Sequence, residues 1–221
     1  MSLVSRQFIG FGASCQVSYQ IRRRTRNEHA LFFDWLIAHD LRSIDLILNH
    51  FDETQFLTED CSLIGNGLRV LCPWSKLAFQ HDFPSVNGVI TEDFRASLHH
   101  VKEKYRFLRD RTLAAMAQDG SVHIRFEYES TDALAECARF REKVSPSAGR
   151  NALYVLASEA VAETMIVDDR MVFKLDAYQG EEICRWRGND ASWDRLFDRV
   201  DEYFKRPFPS HRPSVDRPDF E

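Results

Sequence analysis

Cys15 is the residue whose type and setting point most directly to chemistry. It follows Gly10-Phe11-Gly12-Ala13-Ser14. The run from Val4 to Gly12 reads as a strand, the glycines permit a tight turn, and Ser14 is a good N-cap for a helix opening at about Cys15. A thiol in the first turn of a helix sits beside N–H groups that lack intrahelical acceptors and near the positive end of the dipole. Both favour thiolate, and the N–H groups can also hold an oxyanion. Gly12, Ser14 and Gln16 are therefore the candidate oxyanion- or anion-binding positions. The plainer alternative is a small residue that packs helix against strand. Cys61, Cys72, Cys137 and Cys184 lack a comparable context.

A cysteine nucleophile needs a base. Of the eight histidines, His81 in Phe79-Gln80-His81-Asp82-Phe83 is the best placed. If Leu77 to Phe83 is a strand, alternation sends Leu77, Phe79, His81 and Phe83 to one face and Asp82 to the other. His81 then points inward, either as a base or as a core histidine satisfied by a carbonyl, and Asp82 orients it only if the strand ends or bulges there. Asp34, set among Phe32, Phe33 and Trp35, is a costly place for a carboxylate unless it is bonded. It could orient His81 or cap the following helix.

The same glycines suggest a competing class. Gly10-x-Gly12 after a strand, with Asp34 about 20 residues on, resembles the opening of a dinucleotide fingerprint. The third glycine position is Cys15, however, and its β-carbon would crowd helix against strand. The Walker pattern, His-Glu-x-x-His and the Gly-x-Ser-x-Gly elbow are absent from the sequence.

The elements that must position these residues alternate along the chain. The first helix carries Val17 and Ile21 on one face and ends in Arg22, Arg23, Arg24 and Arg26, read as a solvated end suited to the macrodipole. A second helix places Leu41, Ile44, Ile47, Leu48 and Phe51 at helical spacing. Leu68 to Trp74 and Leu77 to Phe83 read as short extended runs paired antiparallel. From Thr91 to Gln118, Phe94, Leu98, Val101, Tyr105 and Leu108 mark a long amphipathic helix closed near Gly120. Strand Val122 to Tyr128, helix Asp132 to Lys143, strands Ala152 to Ala157, Met165 to Val167 and Met171 to Leu175, and a helix from Ala191 to about Phe204 complete the order. This predicts a single α/β domain over residues 1–206, with a mainly parallel sheet flanked by helices and a short antiparallel segment. Pro207, Pro209, Pro213 and Pro218 mark residues 207–221 as an extended tail.

Bulk properties narrow the function classes. With 221 residues, 44% hydrophobic and 29% charged, the chain can bury a full core. A net charge of −5 argues against a general nucleic-acid binder. The scattered cysteines have no Cys-x-x-Cys pair, which disfavours a disulfide framework or structural zinc and suits a reducing compartment. Residues 1–7 show no apolar h-region, and no run approaches the roughly 18 apolar residues of a membrane span. The expectation is a cytoplasmic protein with neither membrane nor nucleic-acid partner, and with no metal or cofactor.

Three blocks in this order, Ile9-Gly10-Phe11-Gly12-Ala13-Ser14-Cys15-Gln16-Val17-Ser18-Tyr19, Phe33-Asp34-Trp35 and His81-Asp82-Phe83, are followed by a Lys/Arg-rich helix. Together they resemble a bacterial domain family of unknown function described as papain-like cysteine peptidases. The resemblance spans about Phe8 to Phe197. It implies Cys15 as nucleophile, His81 as base, and Asp34 or Asp82 as third member. The basic block matches at Lys104, Tyr105, Arg106, Arg109 and Arg111, with a spacing that departs from the family's paired arginines, and Phe32 replaces its usual proline. The family label also implies a papain-like α+β layout as an alternative fold. The leading expectation is a cysteine-dependent hydrolase, a peptidase or acyl transferase, acting on a peptide, isopeptide, thioester or other acyl compound. The alternatives are a non-catalytic carbohydrate- or anion-binding accessory domain, and a nucleotide-binding domain.

Overall fold

The computed structural model describes residues 6–12 and 15–205. Ser14 and the Pro-rich segment 207–221 lie outside the described residues. Strand β1 (Phe8–Gly12) leads into α1 (Gln16–Thr25), and β2 (Leu36–Ile37) precedes α2 (Leu41–Asn49). Then come β3 (Ser62–Ile64), β4 (Arg69–Leu71), β5 (Ala78–Phe79) and the hairpin β6 (Ser85–Val86) and β7 (Val89–Ile90). A 3₁₀ segment over Glu92–Ser97 opens α3 (Leu98–Met116), which is followed by β8 (Val122–Glu127), α4 (Ala133–Val144) and β9 (Leu153–Ser158). The chain closes with β10 (Met165–Val167), β11 (Arg170–Lys174), a 3₁₀ segment at Glu182–Arg187 and α5 (Asp190–Lys205).

The principal sheet has the order β1-β8-β9-β11-β10, with every pair parallel except β10–β11. This is the expected mainly parallel α/β architecture, and the papain-like α+β alternative is not adopted. Alternation sends Phe8, Ile124, Val155 and Phe173 to one face, against Val17 and Ile21 of α1 and Trp193, Leu196 and Phe197 of α5. The other face, with Ile9, Phe11, Leu156 and Val172, packs on α2, α3 and α4. Each fully buried large apolar side chain contributes about 1.5–3 kcal/mol to this arrangement. Gly10 has a packing reason of its own, since a β-carbon there would stand 2.9 Å from Val17 Cγ1. It lets α1 lie close on β1.

A second, antiparallel sheet, ordered β2-β5-β4-β3, sits in the crossover between β1 and β8. The expected pairing of the two extended runs is present as Val70 opposite Phe79 and Leu71 opposite Ala78. Both runs are shorter than their patterns suggested. The Cys72–Leu77 turn, closed by bonds between Cys72 N–H and Leu77 C=O (3.0 Å) and between Lys76 N–H and Cys72 C=O (2.9 Å), ends β4 early. Bends begin at Gln80 and end β5.

The basic end of α1 is solvated at Arg24 and Arg26, as expected, but it also makes ion pairs. Arg23 reaches Asp194 (2.7 Å) and Arg24 reaches Asp198 (2.6 Å), clasping α1 to α5, while Arg22 pairs with Asp34 at 3.1 Å. Among the described residues, no helix is long and apolar enough to cross a membrane.

Candidate functional site

Cys15 occupies the N-cap position of α1, with helical angles (φ −66°, ψ −6°) and no capping bond from its side chain. Its carbonyl accepts from Tyr19 N–H at 3.0 Å. The thiol is half-buried and faces a cavity of about 1050 Å³. Burial pushes the thiol pKa up and Asp34 adds to this, whereas a local backbone hydrogen bond and Arg69 work against it. The net effect is upward. Desolvation thus outweighs the thiolate preference expected of a helix start.

His81 lines the same cavity. It does so because β5 ends at Phe79, and the bend over residues 80–83 carries the imidazole out to an exposed position instead of into the core. The inward-facing strand position expected for His81 is thereby corrected. Its ring stands edge-on to Trp35, and among the described residues no hydrogen bond engages it, Cys15 included.

Neither expected orienting acid bonds His81. The Asp34 carboxylate accepts from Ser18 Oγ (2.8 Å), Arg22 Nη2 (3.1 Å) and Leu31 N–H (3.0 Å), so it ties α1 to the Phe-Asp-Trp turn. Cap of the next helix is not its role either: Asp40 caps α2, accepting from Arg42 N–H at 2.8 Å. Asp82 is held by α3 through Lys104 Nζ (2.5 Å) and Tyr105 OH (2.8 Å). Burial, with Asp82 alongside, keeps the Tyr105 hydroxyl protonated well above its ordinary range. The arginines of the basic helix also brace the fold. Arg109 bonds the Ile47 and Leu48 carbonyls at the end of α2, and Arg111 bonds the Ala30 carbonyl.

Of the candidate anion-binding positions, Gly12 is buried, and its carbonyl accepts from Ala38 N–H at 3.2 Å. The Gln16 side chain is 2% exposed and lies against Gly188, where a β-carbon would stand 1.6 Å from Gln16 Nε2. It is not among the described residues that line the cavity.

Of the remaining walls, Trp35 belongs to the Phe-Asp-Trp block, and the others were not assigned a role from the sequence. Trp35 precedes β2 and Ile37 ends it, Arg69 opens β4, and Gln80 follows β5. Tyr128 comes from the end of β8 and Trp186 from the 3₁₀ segment before α5. Trp186 sits 6.5 Å from Trp35 and 5.3 Å from Tyr19 between ring centroids. His39 lies between this cavity and a second one of about 640 Å³ and faces both. Arg125, 1% exposed, bonds the Ala38 and His39 carbonyls from below and pairs with Glu127. The available signals were an arginine alternating with Val70 and a tryptophan between Arg185 and Arg187. Among the described residues, no three His, Cys, Asp or Glu side chains converge as a metal-binding set.

The fold and site thus define an α/β domain with an aromatic-walled cavity lined by one cysteine and two exposed histidines, His39 and His81. Comparison with protein-family profiles, curated proteins and solved structures gave no match.

Proposed function

We propose that the protein is a cysteine-dependent acyl hydrolase or acyl transferase, in line with the resemblance to the papain-like peptidase family. The observation that carries this reading is that Cys15 and His81, far apart in the chain, face one cavity. His81 takes the Cys15 proton, and the sulfur attacks the substrate carbonyl while the N–H groups at the start of α1 hold the oxyanion. The imidazolium returns the proton to the leaving group. Water or an acyl acceptor then releases the acyl group from the thioester. The pair is not hydrogen-bonded in this arrangement, so the reading requires rotation of His81, an exposed side chain restrained by its edge contact with Trp35. Catalytic hydrogen bonds often tighten only in the substrate complex.

The test is the rate of Cys15 alkylation by iodoacetamide against pH in the wild type and in His81→Ala, read by peptide mapping. A fall of about tenfold at neutral pH in His81→Ala supports the pair. Equal rates overturn it.

A second reading, a non-catalytic carbohydrate- or anion-binding domain, draws on the Trp35, Trp186 and Tyr128 rings and on the raised Cys15 pKa. Stacking of a sugar on those rings would leave the cysteine a packing residue. The nucleotide-binding reading needs a free Asp34 carboxylate, and that group is occupied by Ser18, Arg22 and Leu31 N–H.

A further inference from the structure

The small sheet gives the cavity a wall of defined chemistry. Its middle row, Leu36, Phe79 and Val70, is matched in register and fully buried in the core. Side chains alternate along a strand, so the rows on either side face the opposite way. One of these rows brings Ile37 to Ala78 and Leu71. The other, continued one residue beyond the strands, aligns Trp35, Gln80 and Arg69, all three of which line the cavity. The register that buries Val70 thus turns Arg69 into the cavity.

Arg69 is unusual there. Its Nε is shut off from solvent without an acceptor, and among the described residues no ion pair or hydrogen bond engages any of its nitrogens. No acidic side chain is among the described residues lining the cavity, and Arg69 is the one permanent cation there. A partly desolvated guanidinium without a counter-ion is costly, and the cost is recovered when an anion docks on it. A single carboxylate balances one guanidinium and matches its fork, whereas a phosphate carries up to two charges and three acceptor oxygens for one cation to meet.

We infer that Arg69 anchors a carboxylate of the substrate, so that the cavity selects acyl compounds bearing a carboxylate near the carbonyl presented to Cys15, with their apolar part against Trp35 and Trp186. This deepens the cysteine-hydrolase reading and rests on it for the word substrate. The docking itself can be measured without turnover.

Cys15 serves as the reporter. The full-length protein is exposed to an equimolar mixture of iodoacetate and iodoacetamide, and the ratio of carboxymethyl to carbamidomethyl Cys15 is read by mass spectrometry of its peptide. In either adduct the sulfur forms a bond to the methylene carbon, iodide leaves with the C–I electron pair, and the thiol proton goes to solvent. Because both reagents meet the same thiol, a change in its acidity cancels from the ratio. The carboxymethyl share should be about tenfold higher in wild type than in Arg69→Gln, the effect of one charged hydrogen bond, with Arg69→Lys between them. Excess acetate should lower the wild-type ratio to that of Arg69→Gln and leave the variant unchanged. Equal ratios in wild type and Arg69→Gln overturn the inference. So does a wild-type ratio insensitive to acetate, which would signify a diffuse field and not a docking site. If Arg69→Gln fails to fold, the acetate competition on wild type decides alone. Failure of the nucleophile reading registers separately, as iodoacetamide rates unaffected by His81→Ala.

Discussion

The His81 imidazole stands edge-on to the Trp35 indole, with 6.5 Å between ring centroids and 88° between planes. Trp35 makes this contact from a left-handed backbone position, φ 65°, which costs a bulky residue on the order of 1 kcal/mol. Strain kept beside a candidate base suggests that the indole positions the imidazole. Trp35→Gly relieves the backbone and removes the ring. The expected result is a shift of only a few degrees in Tm, together with loss of the His81-dependent share of Cys15 alkylation. A large fall in Tm with reactivity intact would mean that the ring serves packing alone.

Asp34 couples stability and reactivity in opposite directions. Asp34→Asn removes the charged acceptor of Arg22 and Ser18, and should destabilise the fold by about 1–3 kcal/mol in urea unfolding. The Asp34 charge helps to hold the Cys15 thiol above its ordinary pKa, second to burial among the raising effects. Removing that charge lowers the thiol pKa and raises the thiolate fraction at any pH below it. Cys15 in Asp34→Asn should therefore alkylate faster than in wild type at pH 7.5. An acid that orients His81 for proton transfer would give the opposite sign.

His123 makes the fold acid-sensitive. Its ring lies between Phe11 and Tyr154, with Nε2 2.9 Å from Ser121 Oγ and a buried Nδ1 without a partner. Burial pushes its pKa down from 6.5 to about 3. Between those values the unfolded chain binds a proton that the folded chain refuses, so stability falls as pH falls, by up to about 1.4 kcal/mol per pH unit. Above 6.5 the group contributes no pH dependence. Comparing urea midpoints at pH 7 and pH 5, His123→Phe should show a smaller drop than wild type while keeping the ring stack.

Thiol labelling of the native protein should follow exposure. Cys15 and Cys184 are half-exposed, whereas Cys61, Cys72 and Cys137 are fully buried. Cys61 and Cys72 share a hydrogen bond that pushes the Cys72 thiol down and the Cys61 thiol up. Acidity alone would therefore favour Cys72. Burial decides instead, and peptide mapping after a short iodoacetamide pulse should find adducts on Cys15 and Cys184, with Cys72 modified only after denaturant is added. Early modification of Cys72 would mean that the small sheet opens in the native state.

Long periodic segments were readable from sequence because many side chains repeat the same signal. α4, α5, β8 and β9 lie within a residue of their expected bounds and β10 matches its own, whereas α3 begins seven residues later than expected, behind the 3₁₀ segment Glu92–Ser97. β2 and β3, of two and three residues, carry too little pattern of their own to be seen. Their absence from the reading hid the wall that brings Trp35, Gln80 and Arg69 into one row. His81 was misdirected inward because a strand was carried four residues past its end at Phe79. Asp34 could not be assigned at all, since its partners Ser18 and Arg22 lie on a different element. Gly10 illustrates the same difficulty: a glycine that looks made for phosphate is explained by Val17 Cγ1.

The pairing of β1 with β8 sets the order in which the molecule can be made. Phe8 to Gly12 leave the ribosome well before their hydrogen-bonding partners, Val122 to Phe126, which follow only after the whole small sheet and α3. At ordinary rates of synthesis this is roughly 5–20 seconds during which an apolar strand edge waits without its neighbour. Trp186 arrives later still. A nascent chain therefore exposes a sticky segment before it owns a complete cavity, and the wall opposite Trp35 closes only once the 3₁₀ segment that carries Trp186 has emerged.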